Sequence, residues 1–182
     1  MKKITAGSLL LAEPFMPDPN FKRSVVLICD HGEHGTFGFV LSRKSPLYLD
    51  QAMDNIFNFK APLFFGGPVQ TDTLHYLHKL ENLEGAVEVV PGLFWGGDFN
   101  DLKELINGGE VNPKDIRFFL GYSGWSEGQL DEEMKEHSWL VHQVRPDHIF
   151  DIPADDLWKC ILKEKGGDYA IMSNFPEDPS LN

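Results

Sequence analysis

Ser24-Val25-Val26-Leu27-Ile28-Cys29 runs into Asp30-His31-Gly32-Glu33-His34-Gly35-Thr36-Phe37-Gly38 and then into Phe39-Val40-Leu41. The reading of this stretch decides the fold. A continuous apolar run with β-branched residues, too short for a helix and bounded by turn residues, reads as a strand buried on both faces. The glycines at 32, 35 and 38 then pose a choice. A phosphate-binding loop after a strand needs G-x-G-x-x-G and a helix N-terminus behind it. Here the spacing is G-x-x-G-x-x-G and a second apolar strand follows. The stretch therefore predicts a β-hairpin, with glycines supplying the turn, and an antiparallel sheet.

Working outward, Ser8-Leu9-Leu10-Leu11-Ala12 reads as another buried strand. Lys2-Lys3 before the run Ile4 to Ala12 has the look of a secretory signal, but the run contains Thr5, Gly7 and Ser8 and no A-x-A site follows. Pro14, Pro17, Asp18, Pro19 and Asn20 make a loop. Leu49, Ala52, Met53 and Ile56 have the spacing of a short amphipathic helix. Leu63 to Phe65 is a strand ending in the turn Gly66-Gly67-Pro68-Val69; Leu74 to Leu80, Ala86 to Val90 and Leu93 to Trp95 are further strands. Asp98 caps a helix through Ile106 that stops at Gly108-Gly109. Ile116 to Tyr122 is a strand, and Ser126 with Gln129 has the spacing of a capping box, which predicts a helix from the Trp125-Ser126 turn. Trp139 to Val144 is a strand, and Pro153 opens a last helix that ends at Gly166. Residues 1–182 thus predict one compact α+β domain, rich in mostly antiparallel sheet, with about four flanking helices and neither repeat nor linker.

Composition narrows the function. A chain of 182 residues buries about 70% of its unfolded surface on folding and needs no disulfide or metal for its core. Sixteen basic against 28 acidic residues give a charge of −12, which opposes the counterion-displacing contacts that hold a protein to DNA or to an anionic membrane. No run approaches the ~20 apolar residues of a membrane span. These features predict a cytoplasmic protein with no direct hold on nucleic acid. The charge is uneven: residues 1–60 carry net +1 and residues 61–182 net −13. That split reads as a solvated acidic exterior or, more sharply, as two surfaces with different partners. Cys29 and Cys160 sit among apolar neighbours and read as packed thiols.

Three patterns invite chemistry. Gly121-Tyr122-Ser123-Gly124-Trp125 lies between a predicted strand and a predicted helix, where a nucleophile elbow belongs, but G-x-S-x-G fails at Trp125. The pairs His31/His34, His75/His78 and His137/His142 suggest metal; in a strand, residues three apart face opposite sides, and the loop pair His31/His34 lacks further ligands. No metal and no cofactor is expected. Glu127 to Glu136 holds five acids and Lys135. Acids near a helix start gain from its dipole, and a docking face for a basic partner is the sharper reading.

Gly7-x-Leu9-Leu10-x-Ala12-x-Pro14-x-Met16-x-Asp18-x-x-Phe21, Ser24-Val25-Val26, His31 with Gly35 and Gly38, Gly66-Gly67-Pro68-Val69, Gly121 to Trp125 with Gly128-Gln129-Leu130, Trp139, Trp158 and Pro179-Ser180-x-Asn182 together resemble the YqgE/AlgH family of small bacterial proteins. The resemblance runs from about residue 7 to the C-terminus. It implies a fold of coiled, branched sheets with flanking helices, and it brings no catalytic residues. Its members carry the label of transcriptional regulators through an association with alginate gene control. Where members have an Asn-Arg-Pro type of turn, this chain has Ser42-Arg43-Lys44-Ser45-Pro46.

Two functions follow. The first is a non-enzymatic regulatory or binding protein that takes a protein or small ligand on a surface made by Asp18, His31, Gly35, Gly66, Gly67, Tyr122, Ser123, Trp125 and Gln129. Such glycine-rich polar turns exceed what connecting strands requires. The second is a hydrolase-like enzyme centred on Ser123 with a histidine such as His31. The two part on geometry: the first needs the three turns to share a cleft, and the second needs Ser123 accessible and beside a base.

Overall fold

The computed structural model describes residues 3–176. Ten strands and six helices follow one another: β1 Ser8–Ala12, β2 Val25–Gly32, β3 Gly35–Val40, β4 Lys44–Tyr48, α1 Leu49–Ala52, β5 Pro62–Phe65, β6 Val69–His78, β7 Val87–Val90, β8 Leu93–Trp95, α2 Phe99–Asn107, β9 Ile116–Trp125, α3 Gln129–Lys135, β10 Trp139–Gln143, α4 Pro146–Phe150, α5 Ala154–Lys165 and α6 Gly167–Met172. The closing Pro179-Ser180-x-Asn182 lies outside the described residues.

The hairpin expected at Gly32–Gly35 is present, with those two glycines paired and Glu33-His34 at its tip. A bulge at Cys29 shifts the register between Ile28 and Asp30, which adds twist where the hairpin leaves the core. The main path of the sheet is β10-β1-β2-β3-β9-β6-β8-β7. Every pairing is antiparallel except that of β5 with β9. β9 holds β6 along residues 116–122, β5 along 118–120 and β3 along 123–125. A strand has two edges, so β5 and β3 occupy successive stretches of one edge, and the sheet branches there.

Burial explains the unbroken apolar runs. Leu9, Leu11, Val25 and Leu27 face one core with Phe39, Phe119 and helix α5, while Leu10, Ala12, Val26 and Ile28 face another with Trp125, Leu130 and Trp139. A third core joins Leu49, Ile56, Leu102, Ile106 and Phe118. Helix α5 puts Leu157, Trp158, Ile161 and Leu162 into the first core, each contributing about 1.5–3 kcal/mol by removal from water. The Trp158 indole donates to the Ala12 carbonyl at 2.9 Å, so the helix is fixed to β1. Strand β9 feeds all three cores through Phe119, Phe118 and Trp125.

The sequence reading differs from the structure at short elements. Six helices stand where about four were expected. The helix at Leu49 has only four residues, since Met53 is extended and Asn55 left-handed. Among the described residues no helix is long and apolar enough to cross a membrane.

Candidate functional site: a groove around the hairpin tip

The β3–β9 ladder pairs Thr36 with Trp125, Phe37 with Gly124 and Gly38 with Ser123. This pairing brings the hairpin tip against the end of β9 and the turn 126–128 behind it; the chain expected to turn after Tyr122 instead continues as strand to Trp125, because 123–125 pair with β3. The third glycine-rich turn, residues 66–69, is held on the same strand. The Gly66 carbonyl accepts from the Val40 N–H at 2.8 Å and from the Ser123 hydroxyl at 3.0 Å. Gly67 lies so close that a Cβ there would sit 2.2 Å from the Tyr122 carbonyl oxygen; only glycine permits that approach. Beyond the turn, Gln70 is left-handed and β6 bulges against β9 between Val69 and Leu74.

Four adjoining hollows surround these turns. The largest, about 440 Å³, has Phe37, Val69, Tyr122 and Trp125 as apolar walls, with Asp30 and Glu33 at its side. Across the hairpin tip lies one of about 270 Å³ that adds Glu127 and Asp131 and includes His31. Past Gly124 and Trp125 lies one of about 310 Å³ with Asp18, Phe21, Gln129 and Glu133. Pro68 separates it from a fourth, about 200 Å³, with Gly67, Phe65 and Arg43. The first hollow, bordered by the hairpin tip, Val69 and the end of β9, lies on the face of Phe37 and Tyr122 and is the groove; the second and third open on the opposite face, toward the core of Trp125, Leu130 and Trp139.

Of the residues expected to make a binding surface, Gly35, Tyr122 and Trp125 line the groove, His31 the second hollow, Asp18 and Gln129 the third and Gly67 the fourth. Gly66 and Ser123 are buried behind the groove. Ser123 has no exposed surface and its hydroxyl donates to a backbone carbonyl. His31 instead meets Thr36, Nδ1 to Oγ1 at 2.8 Å. A nucleophile must reach both a base and a substrate, and Ser123 is engaged as a fastener between the two turns.

Glu133 is the residue sequence reasoning left among solvated acids. One carboxylate oxygen accepts from the Trp125 indole at 2.9 Å and from the Trp139 indole at 2.7 Å, and the other accepts from Gln129 at 3.0 Å. Gln129 also accepts from the Ser126 N–H at 3.1 Å, the back-reaching half of the expected capping box. Helix α3 nevertheless starts later than expected, with left-handed Gly128 as its N-cap. The available signal was spacing: Gln129 and Glu133 stand four apart, beside the apolar stripe of Leu130 and Met134.

Structure also gathers His142, His148 and Glu164, which no local spacing foretells; their ligand atoms lie within 4.8 Å of one another. The hydrogen bonds oppose a metal. His148 Nδ1 accepts the Arg145 N–H at 3.2 Å, which leaves the ring proton on Nε2, 3.3 Å from Glu164. A metal on Nε2 would need that proton moved to a nitrogen already facing a donor. Arg145 grips both Glu164 oxygens at 3.0 and 3.1 Å and holds its carboxyl below the usual range. The cluster is an ion-paired brace between β10, α4 and α5. Cys29 is buried, and burial beside Asp30 pushes its thiol far up, away from the reactive thiolate.

The sequence pattern of the AlgH-like family matches residues 9–170. The chain belongs to that family. A UPF0301 protein of Chlorobium phaeobacteroides is 45% identical over 182 residues, covering 100% of this chain and 97% of its own length. One of Cytophaga hutchinsonii is 40% identical, covering 98% of this chain and 100% of its own. The solution structure of AlgH from Pseudomonas aeruginosa, UPF0301, superposes with a TM-score of 0.74 at 27% identity, covering 97% of this chain and 98% of that one. A crystal structure of a Corynebacterium diphtheriae protein gives 0.79 at 22% identity, covering 96% and 94%, and shares the fold. The AlgH-like fold is therefore the frame on which the groove is carried.

Proposed function

We propose that this AlgH-like protein is a non-enzymatic regulatory or binding protein of the cytoplasm, which takes a protein or small ligand in the groove and acts without direct contact to DNA. One observation carries the reading: three glycine-rich segments, the hairpin tip, the 66–69 turn and the end of β9, meet at the β3–β9 ladder and border one hollow. The engagement of Ser123 in the core supports binding over hydrolysis. The charge of −12 weighs against the phosphate backbone, so the regulator label of the family is best met through a partner.

Gly124 provides the test. It lines two hollows, and a Cβ added there would have its nearest contact at 3.4 Å, with the Tyr122 ring. Gly124→Leu therefore fills the groove without breaking the ladder, while Ser123→Ala removes the hydroxyl and leaves the groove open. In a deletion strain of the native host, transcript profiles should be restored by wild type and by Ser123→Ala but not by Gly124→Leu. Restoration by Gly124→Leu with failure of Ser123→Ala would refute the reading. Duplex DNA titrated at low salt should show no binding.

A further inference from the structure

We infer that the fourth hollow binds a carboxylic acid with a short apolar body, its carboxylate held by Arg43. This site stands apart from the groove and rests on different residues.

The Arg43 guanidinium carries the inference. Of the four hollows this one alone is lined by a Lys or Arg, and no Asp or Glu lines it among the described residues. Arg43 Nη2 donates to the Pro19 carbonyl at 2.6 Å and to the Lys22 carbonyl at 3.4 Å. Among the described residues Nη1 and Nε have no acceptor, Nε being buried. No carboxylate pairs with the side chain there either. Two neutral carbonyls thus fix the half-buried guanidinium without balancing its charge. A charge drawn out of water is ordinarily paired, and this chain has 28 acids for 16 bases with which to pair it. A guanidinium held at one nitrogen, with the Nη1 donors uncommitted, is preorganised for an incoming carboxylate.

The other walls set the class of ligand. The Phe65 N–H donates to the Arg43 carbonyl at 2.9 Å, which fixes the two residues side by side. The exposed Phe65 ring, Val40 and Pro68 give the hollow its apolar side. Asn20 and Thr71 add an amide and a hydroxyl. The bulge of β6 places Thr71, whose Cα lies 3.0 Å from where a Cβ on Gly121 would stand. One guanidinium balances one negative charge, and about 200 Å³ admits a short body. Inorganic phosphate would bring more charge than Arg43 balances and leave the apolar side unused. A free acid and the C-terminus of a peptide offer the same chemistry, and the experiment separates them.

The experiment is an amide NMR titration of the full chain with phenylacetate, against acetate, phenylethanol and inorganic phosphate. Saturable shifts are expected at the Asn20, Gly67 and Thr71 amides. Acetate lacks the apolar body and phenylethanol the charge, so each should bind about tenfold or more weakly. Thr71→Glu sets a carboxylate beside Arg43 at an exposed position in the bulge, and phenylacetate should bind it about tenfold or more weakly. Asn100→Glu makes the same charge change at an exposed position that lines none of the four hollows and should bind as wild type. Arg43→Gln should lose binding as well, with a thermal melt to check that it stays folded. Acetylglycylphenylalanine binding more tightly than phenylacetate assigns the site to a chain end, and weaker binding assigns it to a free acid; the carboxylate site stands in both cases. Absence of saturable shifts, phenylethanol or phosphate binding as well as phenylacetate, or unchanged binding to Thr71→Glu would overturn the inference. The Gly124→Leu result is independent of all of these.

Discussion

Glu133 should govern the stability of the groove wall far more than its half-exposed position suggests. Trp125 and Trp139 are 4% and 3% exposed, and both indole N–H groups end on the same Glu133 oxygen. Glu133→Ala removes the acceptor from two nearly buried donors at once. Each unsatisfied donor costs about 1–3 kcal/mol, and water entering beside α3 recovers part of that. A net loss of about 2–4 kcal/mol is expected. In a domain of this size that corresponds to a fall in Tm of about 4–16 °C. Glu133→Gln keeps an acceptor and loses the charge assistance, so its cost should be nearer 1 kcal/mol. Glu132→Ala is the control: its carboxylate meets exposed Lys135, and exposed pairs contribute about 0–1 kcal/mol. Urea unfolding followed by circular dichroism ranks the three, with tryptophan emission reporting the wall itself. If Glu133→Ala is no less stable than Glu132→Ala, the indole–carboxylate node does not hold the wall and the reasoning fails.

Two other measurements probe the frame. Gly121 has φ +65 and a Cβ there would lie 2.6 Å from the Val69 carbonyl oxygen, so Gly121→Ala should cost more than about 2 kcal/mol in urea unfolding while Gly124→Ala stays within about 0.5 kcal/mol; equal costs would refute the packing argument. Burial holds His75, His78 and His148 below the ordinary histidine value of 6.5. His78 and His148 each accept a backbone N–H at Nδ1, which disfavours a proton there. The unfolded chain then binds more protons as pH falls below about 6.5, so stability is fully present above that value and is lost on acidification, by at most about 1.4 kcal/mol per pH unit for each histidine. The urea midpoint should therefore drop between about pH 7 and 5.5; a rise would overturn the assignment of neutral rings.

Legibility followed the length of each element and the strength of its chemistry. Ser8–Ala12 and Leu93–Trp95 are strands at the expected residues. Asp98 caps α2 through the Asn100 and Asp101 N–H groups, and Gly108 closes it. Strand β4 was hidden because Lys44-Ser45-Pro46-Leu47-Tyr48 reads as a turn. It pairs only at Lys44 and Tyr48, on an edge where Pro46 needs no ladder partner. The spacing of Leu49 and Ile56 suggested one helix, yet both reach the same core through a broken backbone. Helices α4 and α6 are short, and α6 buries no side chain completely, so neither prints a period. Within the site, the turns were visible through their glycines. Glu133 was not, since an acid receiving two tryptophan donors reads like any other in an acidic run.

The uneven charge changes meaning once the chain is folded. By sequence, nearly all the excess acid falls after residue 60, as if the two parts offered different surfaces. The β3–β9 ladder removes that division. It sets Asp18, Asp30 and Glu33 from the near-neutral part beside Glu127, Asp131 and Glu133 from the acidic part. The three hollows that they border draw their carboxylates equally from both. A nucleic-acid reader would need lysines and arginines at its contact surface, and none lines these three hollows among the described residues.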